Sequence, residues 1–287
     1  MRSLRLFLKG LCMGSADIIP GISGGTIALI LGIYEELVFS IKSIDLKIVP
    51  YGFAAIFRKE YRKKVKELFL SIRFDFLVPL LIGIITAFLL LARIISEILL
   101  HYRPLIYSFF LGLILASAVV VYLRIGKFKL MYILHLSIGV ISAYLFLSST
   151  GIYLNHSLPV IFLSGVVSIC AMILPGISGA FIMVFLGQYE YMITALKNFY
   201  LPPLVTYVVG AFIGIIAFSH VLSRLLKKYR NAVLSFLVGL MIGGLKVPVS
   251  KVGSINLFTI SCFMVGLFLV IFVEVYASRR KRRWIPS

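Results

Sequence analysis

The sequence predicts an all-α polytopic membrane protein made of two inverted-topology repeats, each a re-entrant helical hairpin followed by three transmembrane helices. Three observations carry that prediction. The 287 residues are 61% apolar and only 14% charged, with a mean hydropathy of +1.08, and apolar runs of spanning length recur from end to end. A Gly/Pro-broken stretch at residues 14–26 is answered at 172–181, where Pro20, Gly21, Ile22, Ser23 and Gly24 recur as Pro175, Gly176, Ile177, Ser178 and Gly179. The net charge of +19 sits in short loops between the apolar runs, which is the mark of topology rather than of nucleic-acid binding. Cys12, Cys170 and Cys262 are isolated in apolar surroundings, and His101, His135 and His156 lack metal-ligand spacing, so neither a disulfide framework nor a metal site is indicated.

Residues 1–13 imitate a secretory leader, with Arg2, Arg5 and Lys9 before a short apolar patch, but no small-residue cleavage site follows, and the segment reads as mature sequence. Residues 5–40 are an apolar run of 36, broken at Pro20-Gly21. One crossing needs about 20 residues, so two half-helices of about 15 residues meeting in a re-entrant tip fit better than one or two spans. Residues 42–73 hold nine Lys/Arg and lie outside the hydrocarbon, as an insertion that reads as an amphipathic surface helix. Spans follow near 75–97, 104–123 and 130–148. The second half repeats the plan with a broken segment at 158–194 and spans near 202–223, 231–248 and 255–277. The chain thus reads as a single membrane domain, with repeat one at 1–150 and repeat two at 151–287.

The hairpins align at an offset of 155, which also relates Gly32, Tyr34 and Glu35 to Gly187, Tyr189 and Glu190. Beyond them the offset is 127, relating Gly83 to Gly210, Tyr102-Arg103 to Tyr229-Arg230, Gly112 to Gly239, and Gly139 to Gly266. Three crossings per half invert the second copy. With both termini cytoplasmic, segments 1–9, 42–73, 124–129, 224–230 and 279–283 hold 24 of the 29 Lys/Arg on the inner side. A single crossing by each broken segment would strand the nine-charge insertion outside.

At each tip the serine is placed to cap the second half-helix, leaving free amides at Gly24, Gly25 and Thr26 and a matching surface at Ser178, Gly179 and Ala180. Free amides at a helix N-terminus suit a phosphate or carboxylate. Pro20, Gly21, Pro175 and Gly176 shape the two hairpins. Packing of small residues is the alternative reading of one tip alone. Asp17, an acid within an apolar segment, and the symmetric Glu35 and Glu190 are the coupling or gating candidates. Glu36 and Glu274 read as interfacial. Arg93, Arg103 and Arg230 are candidates for an anionic headgroup, and the basic tail from Arg279 reads as an inner-leaflet anchor.

Residues 14–17, the run Pro20 to Thr26, Ala28-Leu29, Gly32 to Glu35 and the second Pro175 to Gly179 resemble the polyprenyl-phosphate transporter family, a bacterial family long described as a domain of unknown function. The resemblance covers essentially the whole chain. It implies a flippase of the bacterial cytoplasmic membrane, not an enzyme, that recycles undecaprenyl phosphate from the outer to the inner leaflet for peptidoglycan and other envelope polymers. The mechanism expected is alternating access around a phosphate held between the tips, with membrane lipids as neighbours, no cofactor, and a coupling proton or sodium ion left open. A homodimer also stays open. Two rivals remain. Undecaprenyl-pyrophosphate phosphatases carry a Pro-Gly-x-Ser stretch followed by Arg, where this chain has Gly24 and Gly179, and their companion acidic motif is absent. An ion-coupled carrier of a small anion is the other.

Overall fold

The computed structural model describes residues 2–19, 21–125 and 129–282. Pro20, the centre of the 124–129 loop and the last residues of the basic tail fall outside them. Every element among the described residues is helical. The first hairpin is α1 (Arg2–Asp17), α2 (Gly24–Ile30) and α3 (Tyr34–Lys42). The basic insertion forms α4 (Ile48–Phe57) and α5 (Lys59–Ser71). Next come α6 (Phe74–Thr86), a π-helical turn (Ala87–Leu91), α7 (Ala92–Arg124) and α8 (Leu130–Ser148). The second half gives α9 (Leu158–Ile173), α10 (Gly179–Phe185), α11 (Tyr189–Lys197), α12 (Leu201–Gly244), α13 (Lys246–Val252) and α14 (Leu257–Arg282).

Three expectations are corrected. Each broken segment has three helical pieces rather than two, because the chain bends a second time, by 118° between α2 and α3 and by 104° between α10 and α11. The bend follows from glycine: Gly32 and Gly187 take φ of 67° and 68°, which a side chain disfavours. The insertion is two helices, since Arg58 is extended (φ −132°, ψ 120°) and ends α4 before the basic α5 begins. Finally, no loop separates the spans expected at 75–97 and 104–123, or those at 202–223 and 231–248: each pair meets at a kink of one non-helical residue, Tyr102 or Tyr229, inside the runs Phe74–Leu123 and Leu201–Val252.

With Leu130–Ser148, these are the three helices among the described residues long and apolar enough to cross a membrane, or up to five if each bent pair counts as one span. The two long runs have 50 and 52 residues. At about 1.5 Å per residue each is more than twice the roughly 30 Å of a hydrocarbon core. Both kink at the same place in the repeat, Tyr102 (φ −125°, ψ 29°) and Tyr229 (φ −131°, ψ 40°). Pro104 weakens the helical bonding beside the first hinge; no proline accompanies the second. Large apolar side chains such as Leu89 and Val208 are exposed along these helices, as expected where the solvent is lipid.

Glycines set the helix packing, and they do so twice. Gly83 lies against the Phe7 carbonyl with no room for a Cβ, and Gly210 lies likewise against Phe162. Gly10 on Leu80 corresponds to Gly165 on Tyr207. These are α1 on α6 and α9 on α12, related by the same offsets of 155 and 127 read from the sequence. The third helices exchange partners: α8 packs on α12 through Gly139 and Gly239, while α14 packs on α7 through Gly266 and Gly112. Without a hydrophobic drive between helices in lipid, such close backbone approach is a main source of association. Ion pairs gather at one end of the first hairpin, where Glu36 accepts from Arg2 and Arg73, both at 2.7 Å, and Arg2 also reaches Asp75 at 3.1 Å.

Gly139→Leu is expected to cost about 1–3 kcal/mol by overpacking, read as a lower thermal midpoint in detergent. Gly52, in α4, faces open space, so Gly52→Ala should be neutral or stabilising by up to about 1 kcal/mol.

Candidate functional site

The two broken tips meet and lock into each other. Ser23, almost fully buried, accepts from the Gly25 N–H at 3.1 Å and so caps α2. Its own hydroxyl proton points across to the second tip, toward the carbonyls of Met172 and Leu174, both at 3.2 Å. Thr26 Oγ1, also buried, accepts from the Gly176 N–H at 2.9 Å. A Cβ on Gly25 would strike the Ile173 carbonyl, so only glycine allows the two backbones this close. Gly21 and Gly176 both have φ of 86° and turn the chain sharply at the tips. The tips rest on the end of the long second-half run, with Gly21 against Val247 and Gly176 against Leu240.

The expected free amides of the first tip are not free. Gly24 N–H donates to Asp17 Oδ1 at 2.6 Å, Gly25 N–H to Ser23, and Thr26 N–H to the Ser23 carbonyl at 2.9 Å. Asp17 is thus a built-in carboxyl acceptor for the start of α2. The sequence offset explains why the second tip differs: Met172 stands where Asp17 would be, close over Gly179 as Asp17 lies over Gly24. Ser178 caps no amide of α10. Of the candidate residues, Asp17, Ser23, Gly24, Gly25 and Thr26 are brought together with Pro175 and Gly176 at the tips; Ser178 and Gly179 follow on the far side of the second tip.

The arginines lie elsewhere. Arg93 is exposed early in α7, Arg103 is exposed beside the Tyr102 hinge, and neither has an ion pair among the described residues. Arg230, beside the Tyr229 hinge, binds Glu35 of α3 at 2.6 Å and 2.8 Å. That pair borders a polar cavity of about 310 Å³ with Tyr34 and Glu36. Glu190, the counterpart of Glu35, is exposed and has no such pair among the described residues. The sequence reading missed the second tip's carbonyls at Met172 and Leu174, and Gln188, which is buried and ties α11 to the loop before α9 through Leu154 and Asn155. It also missed Lys227 and Lys228, which border a large groove beside Arg230; their basic run next to a Tyr-Arg pair was the available signal.

Residues 13–255 match the model of a family described as undecaprenyl phosphate translocase-like. A protein of Vibrio cholerae named polyprenyl-phosphate transporter is 41% identical over 249 residues, covering 85% of this chain and 77% of the relative. One of Staphylococcus aureus with the same name is 29% identical over 258 residues, 83% of each chain. No solved structure matches.

The tip geometry predicts a split between two substitutions at Asp17. Asp17→Ala leaves the Gly24 N–H without an acceptor and should cost about 1–2 kcal/mol, whereas Asp17→Asn retains an acceptor and should melt near wild type. An asparagine variant as unstable as the alanine one would show that the tip needs the carboxylate charge. Ser23→Ala, which removes both the cap and the bridge, should lower the thermal midpoint at least as far as Asp17→Ala.

Proposed function

The chain belongs to the undecaprenyl phosphate translocase-like family, and from that premise we propose that it carries undecaprenyl phosphate or a closely related polyprenyl phosphate across the bacterial cytoplasmic membrane for recycling. It is a multi-pass membrane transporter and not an enzyme. The observation that carries the site reading is the interlock of two broken tips through Ser23, Gly25 and Thr26. Irregular backbone in an apolar protein is tolerated where it lines a path or is held by protein, and discontinuous helices are where transporters bind their substrates. The phosphate sits between the tips, in the space bounded by Ser23, Gly24, Gly25, Thr26, Ser178 and Gly179, while Arg93, Arg103 and Arg230, which lie away from the tips, attract the headgroup on its way in. Its entry requires the contacts across the tips to open.

The same proposal takes repeats 1–150 and 151–287 as inverted copies with both termini cytoplasmic, and transport as alternating access. Two facts support it. The glycine contacts, hinges and positive-φ glycines all recur at the two sequence offsets. The mouths are also in different states: Glu35 is bound to Arg230, while the equivalent Glu190 and Arg103 are apart from any ion pair among the described residues. One mouth is latched and the other is not. Asp17, Glu35 and Glu190 are the groups a coupling proton or sodium ion would use.

Proteoliposomes holding undecaprenyl phosphate test the function directly. Leaflet exchange without phosphate release from the pyrophosphate is expected; phosphate release would make the protein a hydrolase, and silence in both assays would redirect the search to small anions. In the same assay Arg230→Glu should slow exchange by about tenfold or more, as loss of a charged hydrogen bond implies, and Glu35→Arg in the same chain should restore part of it. Because the pair is exposed, stability should change by less than about 1 kcal/mol.

A further inference from the structure

Two grooves open on the outside of the helix bundle, and they are counterparts. The larger, about 840 Å³, lies between α8 and the two arms of α12 at the Tyr229 hinge. The smaller, about 530 Å³, lies along the two arms of α7 at the Tyr102 hinge and against α14. Applying the offsets of 155 and 127 to the lining of the smaller groove returns mostly residues that line the larger: Tyr102 and Phe109 become Tyr229 and Phe236, and Ile19 becomes Leu174. A surface irregularity in one loop would not recur in this way. Each groove therefore belongs to the repeat itself, and each runs from a hinge to the residue immediately before a hairpin tip.

We infer that these grooves are a pair of docking sites for the phosphate-bearing end of a single-chain polyprenyl phosphate, one at each mouth of the path that leads to the tips. The inference rests on the transport reading above and adds where the lipid waits. The walls are apolar and face the bilayer, with Val221 and Leu225 of the larger groove both exposed. The volumes are those of ordinary ligand pockets, enough for a headgroup and the first isoprenoid units while the rest of the chain stays in the membrane. The charge at the rim selects an anion. Lys227, Lys228 and Arg230 border the larger groove, and neither lysine has a carboxylate partner among the described residues. Instead each lies over a ring, Lys227 at 5.6 Å from Phe39 and Lys228 at 5.2 Å from Tyr229.

The two sites are unequal. The smaller groove has no lysine in its lining; Arg103, next to Tyr102, is the nearest basic residue in sequence, and Cys262 stands where the larger groove has His135. The lysine-bordered groove therefore holds the phosphate more tightly than its counterpart.

The test uses the full chain in proteoliposomes with a polyprenyl phosphate carrying a diazirine in its first isoprenoid units. Photolabelling is expected in residues 218–237, and more weakly in 95–110, with both suppressed by unlabelled polyprenyl phosphate. Lys227→Gln combined with Lys228→Gln should weaken labelling of the larger groove by about tenfold, the loss expected for two charge-assisted contacts. Val221→Trp with Leu225→Trp, at lipid-facing positions that tolerate bulk, should fill the groove and abolish both its labelling and exchange. The inference is overturned if label appears at the tips alone, if phosphatidylglycerol suppresses labelling equally, or if the filled variant exchanges lipid at the wild-type rate. In that last case exchange itself would keep the transport reading intact. Labelling of the grooves by a wild-type protein that exchanges no lipid would instead sink the transport reading and leave a polyprenyl-phosphate binding site.

Discussion

Everything in this fold answers to the cost of breaking a helix inside an apolar protein. A main-chain N–H or carbonyl without a partner in hydrocarbon costs several kcal/mol, and each tip exposes several at once. The chain satisfies them in three ways. Asp17 and Ser23 cap the start of α2 from within the first hairpin. Ser23 and Thr26 reach across to the backbone of the second. The rest is closed by glycine, which brings Gly25 onto the Ile173 carbonyl and Gly176 onto Leu240. The tips are therefore stable only as a pair, and a mechanism that separates them must supply new partners.

The scaffold around the tips is a glycine-keyed lattice used twice. Because Gly112 and Gly266 repeat the contact of Gly239 and Gly139, α8 belongs by sequence to the first copy but packs on the second, and α14 does the reverse. Such an exchange ties the halves together over their whole height. On the proposed transport reading, relative motion would then fall to elements outside the exchanged pairs. The hairpins are the natural ones: each hangs on the long runs through the α1–α6 or α9–α12 contact, and each ends in a bend at Gly32 or Gly187.

Much of this was legible in the residues. The duplicated Pro-Gly-Ile-Ser-Gly stretch located both tips, and the offsets of 155 and 127 anticipated the matched hinges and glycine contacts. What could not be read was how the amides would be satisfied. Hydrogen-bond partners such as Met172, Leu174 and Gly176 lie about 150 residues from Ser23 and Thr26 in sequence and follow no local pattern. The sharpness of those hinges was not legible: the Tyr-Arg pairs and their charges looked like loops, yet each break is a single non-helical residue, Tyr102 or Tyr229. The second bend at Gly32 was visible only as a glycine, a residue with many other uses.

The near-symmetry makes its exceptions informative. Asp17, Ser23 and Thr26 supply the polar side chains at the tips, whereas their counterparts are Met172, a Ser178 that caps nothing and Phe181. If the tips part, the first keeps its internal caps, since Gly24 still has Asp17 and Gly25 still has Ser23. The second loses what the first provided: the Gly176 N–H loses Thr26, and the Met172 and Leu174 carbonyls lose Ser23. The unmet need after opening is thus concentrated on the second tip, and its donor, the Gly176 N–H beside the uncapped start of α10, calls for an acceptor. A phosphate oxygen is such an acceptor. On the proposed transport reading, the first tip would act as a plug whose own groups imitate the ligand, and the second tip would be the surface that the lipid phosphate takes over when the plug withdraws.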